Sequence, residues 1–130
     1  MKGPSTTGWL SLDDDSLTAC VGCGLCLPHC PTFRLSGDER MSPRGRIVLM
    51  RAAQTGGVDC DDEWYDAMET CMQCRGCEAA CPAGVPFGEL ISGTRSAMSA
   101  VRRAPVHLRV GLWALTQHRL LLFGSRILAV

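Results

Sequence analysis

Eight of the nine cysteines fall into two runs of identical spacing, C-x2-C-x2-C-x3-C-P. The first, CVGCGLCLPHCP, sets Cys20, Cys23, Cys26 and Cys30 before Pro31; the second, CMQCRGCEAACP, sets Cys71, Cys74, Cys77 and Cys81 before Pro82. Three cysteines at steps of three wrap a loop around one corner of a cubane, placing three thiolates on three irons while loop N–H groups point at the sulfides. Gly22, Gly24 and Gly76 allow that close approach, having no side chain to hold the backbone away. The fourth cysteine follows a longer step, and in two-cluster proteins with this run it ligates the other cluster. The expected ligand sets are therefore crossed. Cys20, Cys23, Cys26 and Cys81 would hold one 4Fe-4S cluster, and Cys71, Cys74, Cys77 and Cys30 the other. Structural zinc also takes four ligands, usually as two separated C-x2-C pairs, but needs neither a third cysteine at the same step nor a trailing proline.

Cys60 has no counterpart in the repeat and reads as a free thiol on a loop. His29 adjoins Cys30, yet with all eight cysteines present no imidazole ligand is required. His107 and His118 are expected to face solvent. Clusters with four thiolates each add negative charge to a chain whose formal balance is zero, so nearby cations should compensate. Arg75 lies inside the second run, and Arg44 and Arg46 follow Ser42-Pro43. Solvated arginines are the plain alternative; the functional reading is that they raise a reduction potential.

Helices must deliver these loops. Asp14 or Asp15 can cap a short helix carrying Leu17 and Ala19 up to Cys20. Ser42-Pro43 is an N-cap and first-turn pair, Ile47, Met50 and Ala53 repeat at helical spacing, and Gly56-Gly57 ends the segment. Asp61 or Asp62 opens another helix, on which Trp64, Ala67, Met68 and Cys71 share a face. After Pro86 the period returns through Phe87, Leu90, Ile91, Thr94, Met98 and Val101, although Gly93 costs about 1 kcal/mol relative to alanine. Strand-like alternation is not sustained anywhere, so the expected fold class is all-α, an α-helical ferredoxin with two 4Fe-4S clusters. Residues 1–10 read as a flexible lead-in, 11–101 as the dicluster domain, and 102–130 as a basic amphipathic tail that packs on something, such as the start of a further domain.

Aromatics make up only 5% of 130 residues, so the cysteine-held metal should replace part of an ordinary core. Met1 to Leu10 contains no apolar leader segment, so the protein is expected to stay in the cytosol, where regular cysteines bind metal more often than they form disulfides. The net charge of +0 gives no support for nucleic-acid binding. Charge is unevenly spread, however. No acid follows Glu89, and Arg95, Arg102, Arg103, Arg109, Arg119 and Arg126 make the C-terminal part basic, either as a solvated face or as a docking surface for an acidic partner or anionic headgroups. These charges also fall too often for a transmembrane helix of roughly 20 apolar residues.

The stretch GDERMSPRGRI from Gly37 to Ile47, together with CRGCEAACPAGVPFGELI, resembles the iron-sulfur subunit of glycolate oxidase. Similar arrangements occur in the C subunit of anaerobic glycerol-3-phosphate dehydrogenase, in lactate-utilization proteins and in heterodisulfide reductase subunits. The resemblance covers Leu17 to Val101 well and the LWALTQH segment loosely. It implies an electron-transfer subunit that receives electrons from flavoprotein subunits oxidising glycolate or another 2-hydroxy acid and delivers them to a membrane or quinone acceptor. That would place the protein in the cytoplasm, peripheral at the inner face of the membrane. The family continues into domains with adjacent Cys-Cys pairs, and none occurs here.

No nucleotide fingerprint opens a helix after a strand, so the chain is expected to be an electron-transfer subunit of an oxidoreductase with no catalytic residue of its own. Alternatives are a free-standing dicluster ferredoxin, a heterodisulfide reductase-like carrier, a redox-sensing regulator, or a module in which metal is only structural.

Overall fold

The computed structural model describes residues 9–102, 105–118 and 122, and among these all regular structure is helical, giving an all-α fold. Local chemistry sets most helix ends. Helix α1 (Asp14–Thr18) is capped by Asp13, whose carboxylate accepts from the Ser16 N–H at 2.8 Å. The cap thus lies before Asp14 and Asp15, because Asp13 is the last residue with extended backbone and sits three positions ahead of a free helical N–H. Pro31 opens α2 (Pro31–Ser36), and Gly37 closes it in the left-handed conformation. Helix α3 (Pro43–Gln54) begins with the Ser42-Pro43 pair, Ser42 Oγ accepting from the Gly45 N–H at 3.0 Å. Asp61 caps α4 (Asp62–Glu69) through the Trp64 N–H. A short α5 (Gly76–Ala79) lies inside the second cysteine run, and α6 (Phe87–Val101) follows it.

Helices α3, α4 and α6 touch one another and enclose the core. Ile47, Met50 and Ala53 of α3 meet Trp64, Ala67 and Met68 of α4 and Phe87, Leu90, Ile91 and Met98 of α6, all buried. The expected face of α6 holds except at its end, where Val101 is exposed. Gly93 has a packing reason: a Cβ there would lie 2.9 Å from Leu12 Cδ2. The segment before α1 is tied down by Gln54, whose side-chain amide accepts from the Leu12 N–H at 2.9 Å and donates to the Leu12 carbonyl at 3.0 Å.

Cys60 is a free thiol on a loop, as expected. It lies between helices but is only 2% exposed, within the core cluster that includes Trp64 and Tyr65. Burial pushes its thiol up, against a hydrogen bond involving Trp9. A buried protonated thiol reacts slowly. Alkylation of the native protein is therefore expected to leave Cys60 unmodified while the same reagent labels it after denaturation; labelling in the folded state, read by mass spectrometry, would contradict this placement.

The basic C-terminal part divides. Arg95 is not a solvated charge: its guanidinium donates to the carbonyls of Met68, Glu69 and Cys71 at 2.6–3.1 Å, closing the C-terminal end of α4 where a cation is favoured. Arg102 pairs with Asp62 at 3.4 Å and stacks over the Tyr65 ring. Helix α7 (Val106–Thr116) buries none of its residues, and Leu108, Leu112, Trp113 and Leu115 are all exposed. The expected packing of this segment is thus not seen among the described residues; His107 and His118 are exposed, as expected. Arg103, Arg119, Phe123 and Arg126, and most of the lead-in, lie outside the described residues. Among the described residues no helix is long and apolar enough to cross a membrane.

Candidate metal centres

The two runs share one backbone feature at matching offsets. In the first, Gly22 and Gly24 take positive φ values of 70° and 83°; at the same offsets in the second, Gln73 and Arg75 take 52° and 59°. Left-handed residues alternating along a short loop turn successive N–H groups to one side, the concavity that many Fe–S sites use. Glycine adopts this at little cost, whereas each non-glycine residue costs roughly 1–2 kcal/mol and must be held by its surroundings. Gly76 also has a packing reason. It opens α5, and a Cβ there would lie 3.2 Å from the His29 carbonyl of the first run. That close contact brings the 3-10 turn Leu27–His29 against α5 and so packs one run on the other.

The consequence is a pair of crossed cavities. Cys20, Cys23 and Cys26 line one together with Cys81, and Cys71, Cys74 and Cys77 line the other together with Cys30. Each cavity therefore presents four thiols and no carboxylate, a soft donor set that suits iron-sulfur clusters. Each also has one exposed thiol, Cys23 or Cys74. Cys30 and Cys77 of the second cavity are buried. His29 borders that cavity but is exposed.

The three arginines flanking these loops have different environments. Arg44, at the first cavity, donates to the Gly22 carbonyl at 2.9 Å and pairs with Glu39 at 2.5 Å. Arg75, at the second, pairs with Glu78 at 3.5 Å. Both remain in contact with water. Arg46 does not. It is fully buried, and its guanidinium donates to the Ala67 carbonyl at 2.6 Å, to the Met41 carbonyl, and to the hydroxyls of Thr32 at 3.2 Å and Thr70 at 3.3 Å, with Nη1 at 3.9 Å from Cys30 Sγ. No carboxylate pairs with it among the described residues. A buried charge needs an opposite charge, and a metal-bound thiolate set at Cys30 would supply one. The solvated reading thus fails for Arg46.

The thiols respond to these surroundings. At Cys30 burial opposes ionisation, but hydrogen bonding with Thr32 and the Phe33 backbone, with the charge of Arg46, outweighs it and holds the thiol below its ordinary value. At Cys26 burial dominates and raises the thiol despite backbone hydrogen bonding at Arg44. Cys77 is pushed up to about 12, first by burial and then by Cys71. Without metal it is a protonated thiol at neutral pH, so iron binding there would release a proton.

Two contributors carry no sequence signature. Thr32 Oγ1 lies 3.2 Å from Cys30 Sγ and donates to the Met41 carbonyl at 2.9 Å, and Arg95 fixes the Cys71 carbonyl at 2.6 Å. A threonine two residues after the fourth cysteine, and an arginine among surface-like charges, look unremarkable until α2 and α6 place them.

Residues 16–85 match the 4Fe-4S dicluster domain family. The chain is 44% identical over 85 residues to the "Probable glycolate oxidase iron-sulfur subunit" of Bacillus subtilis, covering 65% of this chain and 19% of that protein. It is 36% identical over 97 residues to the glycolate oxidase iron-sulfur subunit of Escherichia coli, covering 75% and 24%. With an iron-sulfur subunit of the CoB–CoM heterodisulfide reductase of Methanocaldococcus jannaschii it shares 34% over 94 residues, covering 68% and 45%. The matches thus span about a fifth to a quarter of the two glycolate oxidase subunits. No solved structure matches the chain at a significant level.

Proposed function

The chain belongs to the 4Fe-4S dicluster domain family and holds two 4Fe-4S clusters, and from that premise we propose that it is the electron-relay part of a flavin-dependent 2-hydroxy acid oxidoreductase of the glycolate oxidase type. The proposed ligands are Cys20, Cys23, Cys26 and Cys81 for one cluster and Cys71, Cys74, Cys77 and Cys30 for the other. The observation that carries this reading is the pair of four-thiol cavities whose cysteines are drawn from both runs. When bound, such clusters supply one-electron transfer.

The protein's own residues hold, space and electrostatically bias that chemistry. Cys30 and Cys81 join the two halves, and the contact between Gly76 and the His29 carbonyl keeps the sites adjacent. Arg44, Arg46 and Arg75 place positive charge beside the thiolates. Neither cavity is lined by a carboxylate, and clusters bound there would supply only one-electron transfer, so this reading assigns oxidation of the hydroxy acid to a flavoprotein partner and passes the electrons onward to a membrane or quinone acceptor. The names of the two glycolate oxidase relatives support the glycolate oxidase type. In this reading the protein works in the cytoplasm at the inner face of the membrane. The lead-in, the dicluster domain to residue 101 and the tail from 102 are its proposed divisions.

A second reading is a heterodisulfide reductase-like carrier, favoured by the larger share, 45%, of the Methanocaldococcus jannaschii protein that the match spans. One experiment separates the two. The purified protein is mixed anaerobically with its copurifying flavoprotein, and glycolate is added while visible absorbance and EPR are followed. Cluster bleaching with the appearance of reduced-cluster spins is expected. Clusters that stay oxidised while the flavin is reduced would overturn the glycolate-type reading.

A further inference from the structure

The two sites share one design at their rims and differ in one buried charge. At the first, Arg44 is balanced by Glu39; at the second, Arg75 is balanced by Glu78. These rim pairs are alike and exposed to screening, so they do little to distinguish the sites. Arg46 has no equivalent at the first cavity. It is fully buried, lines the cavity of Cys30, Cys71, Cys74 and Cys77, reaches within 3.9 Å of Cys30 Sγ, and has no carboxylate partner among the described residues. Arg95, bound to the Cys71 carbonyl, adds positive charge on the same side.

Resting on the ligand sets proposed above, we propose that Arg46 is the built-in counter-cation of the Cys30 site and makes that site the higher in potential, so that the first electron the protein accepts resides there. Accepting an electron makes a thiolate-ligated cluster more negative by one charge. A fixed cation in a low-dielectric position favours that change more than a solvated one, because neither water nor salt screens it. Burial of Cys30 and Cys77 works in the opposite sense, since a desolvated site resists added charge. Both sites, however, keep one exposed cysteine, Cys23 and Cys74. The difference in hydration is therefore partial, whereas the difference in uncompensated buried charge is a full unit.

Arg46 is held for this role. Its Nε is fixed on Ala67, and its terminal nitrogens are fixed on Met41, Thr32 and Thr70, which leaves the guanidinium no freedom to swing out to water. Lysine would keep the charge but could not span those acceptors; glutamine would lose the charge.

The test is an anaerobic reductive titration followed by EPR on the intact wild-type protein and on Arg46→Gln, Arg46→Lys and Arg44→Gln. Cys30→Ser and Cys81→Ser assign the signals, because each alters or removes the spectrum of the site its cysteine serves. In the wild type, the signal that Cys30→Ser changes should appear first. Arg46→Gln should lower the potential of that signal alone, erasing or reversing the order; Arg46→Lys should largely keep the order, and Arg44→Gln should leave it unchanged. The inference is overturned if the first signal is the one changed by Cys81→Ser, or if Arg46→Gln shifts both signals equally or neither. Should Arg46→Gln fail to retain clusters, the wild-type order decides alone. Iron and sulfide content amounting to one cluster, or Cys81→Ser altering the signal of the Cys71–Cys77 loop, would instead refute the ligand sets and so mark a failure of the underlying reading.

Discussion

Cys81→Ala is expected to empty the site of Cys20, Cys23 and Cys26, fifty and more residues away in sequence, and to leave the cluster on its own run in place. The cavity that Cys81 lines belongs to the first run, so removing its thiol leaves that site three ligands and its neighbour four. Iron and acid-labile sulfide should fall by about half, and the interaction between two reduced-cluster spins should give way to the signal of one isolated cluster. Cys30→Ala is the reciprocal case, with a heavier penalty to the fold. As a cluster ligand its thiolate would face buried Arg46, and breaking a buried charge pair by removing one partner costs about 3–5 kcal/mol because the other charge is left uncompensated. Loss of the cluster from the mutated run itself, with the distant one retained, would mean that each run ligates a single cluster.

That each cavity draws cysteines from both runs is legible in the sequence, because such spacing answers to the metal rather than to packing. The cap at Ser42 and the start of α4 at Asp61 are legible for a similar reason: a side-chain oxygen three residues ahead of a free N–H is a local event. Arg46 is half legible. It precedes Met50 by four residues and Ala53 by seven, so it lies on the apolar stripe of α3, while Arg44 does not. Ranking the three arginines alike misses what that periodicity implies. Cys60 reads correctly as a free loop thiol, but its burial is not legible, because its cover comes from Trp64 and Tyr65 and no spacing rule announces that. Arg95 groups with the surface charges in sequence because the carbonyls it binds lie more than twenty residues earlier.

Gly45 is where one added methyl group should do the most damage to the scaffold. A Cβ at this position would fall 1.9 Å from the Glu39 carbonyl oxygen and 2.8 Å from its carbon, and both are backbone atoms that cannot rotate aside. Gly45→Ala must therefore push α3 away from the 3-10 turn Glu39–Met41. Its neighbours make that shift felt at both sites, since Arg44 is anchored on Gly22 and Arg46 on Met41 and Thr32. Overpacking of this kind costs about 3 kcal/mol or more. For a domain of this size that lowers the unfolding midpoint by roughly 10 °C or more. Gly57→Ala is the control, because a Cβ there meets atoms only at the ordinary distance of 3.6 Å, and it should change little. The comparison is made by cluster bleaching and circular dichroism at one scan rate, because the unfolding of a cluster protein that loses its metal is governed by rates. A Gly45→Ala protein melting with the wild type would show that α3 does not bear on the Glu39 turn as tightly as described. A large loss confined to Gly45→Ala would instead identify the contact between α3 and that turn as the joint on which the placement of Arg44 and Arg46 depends.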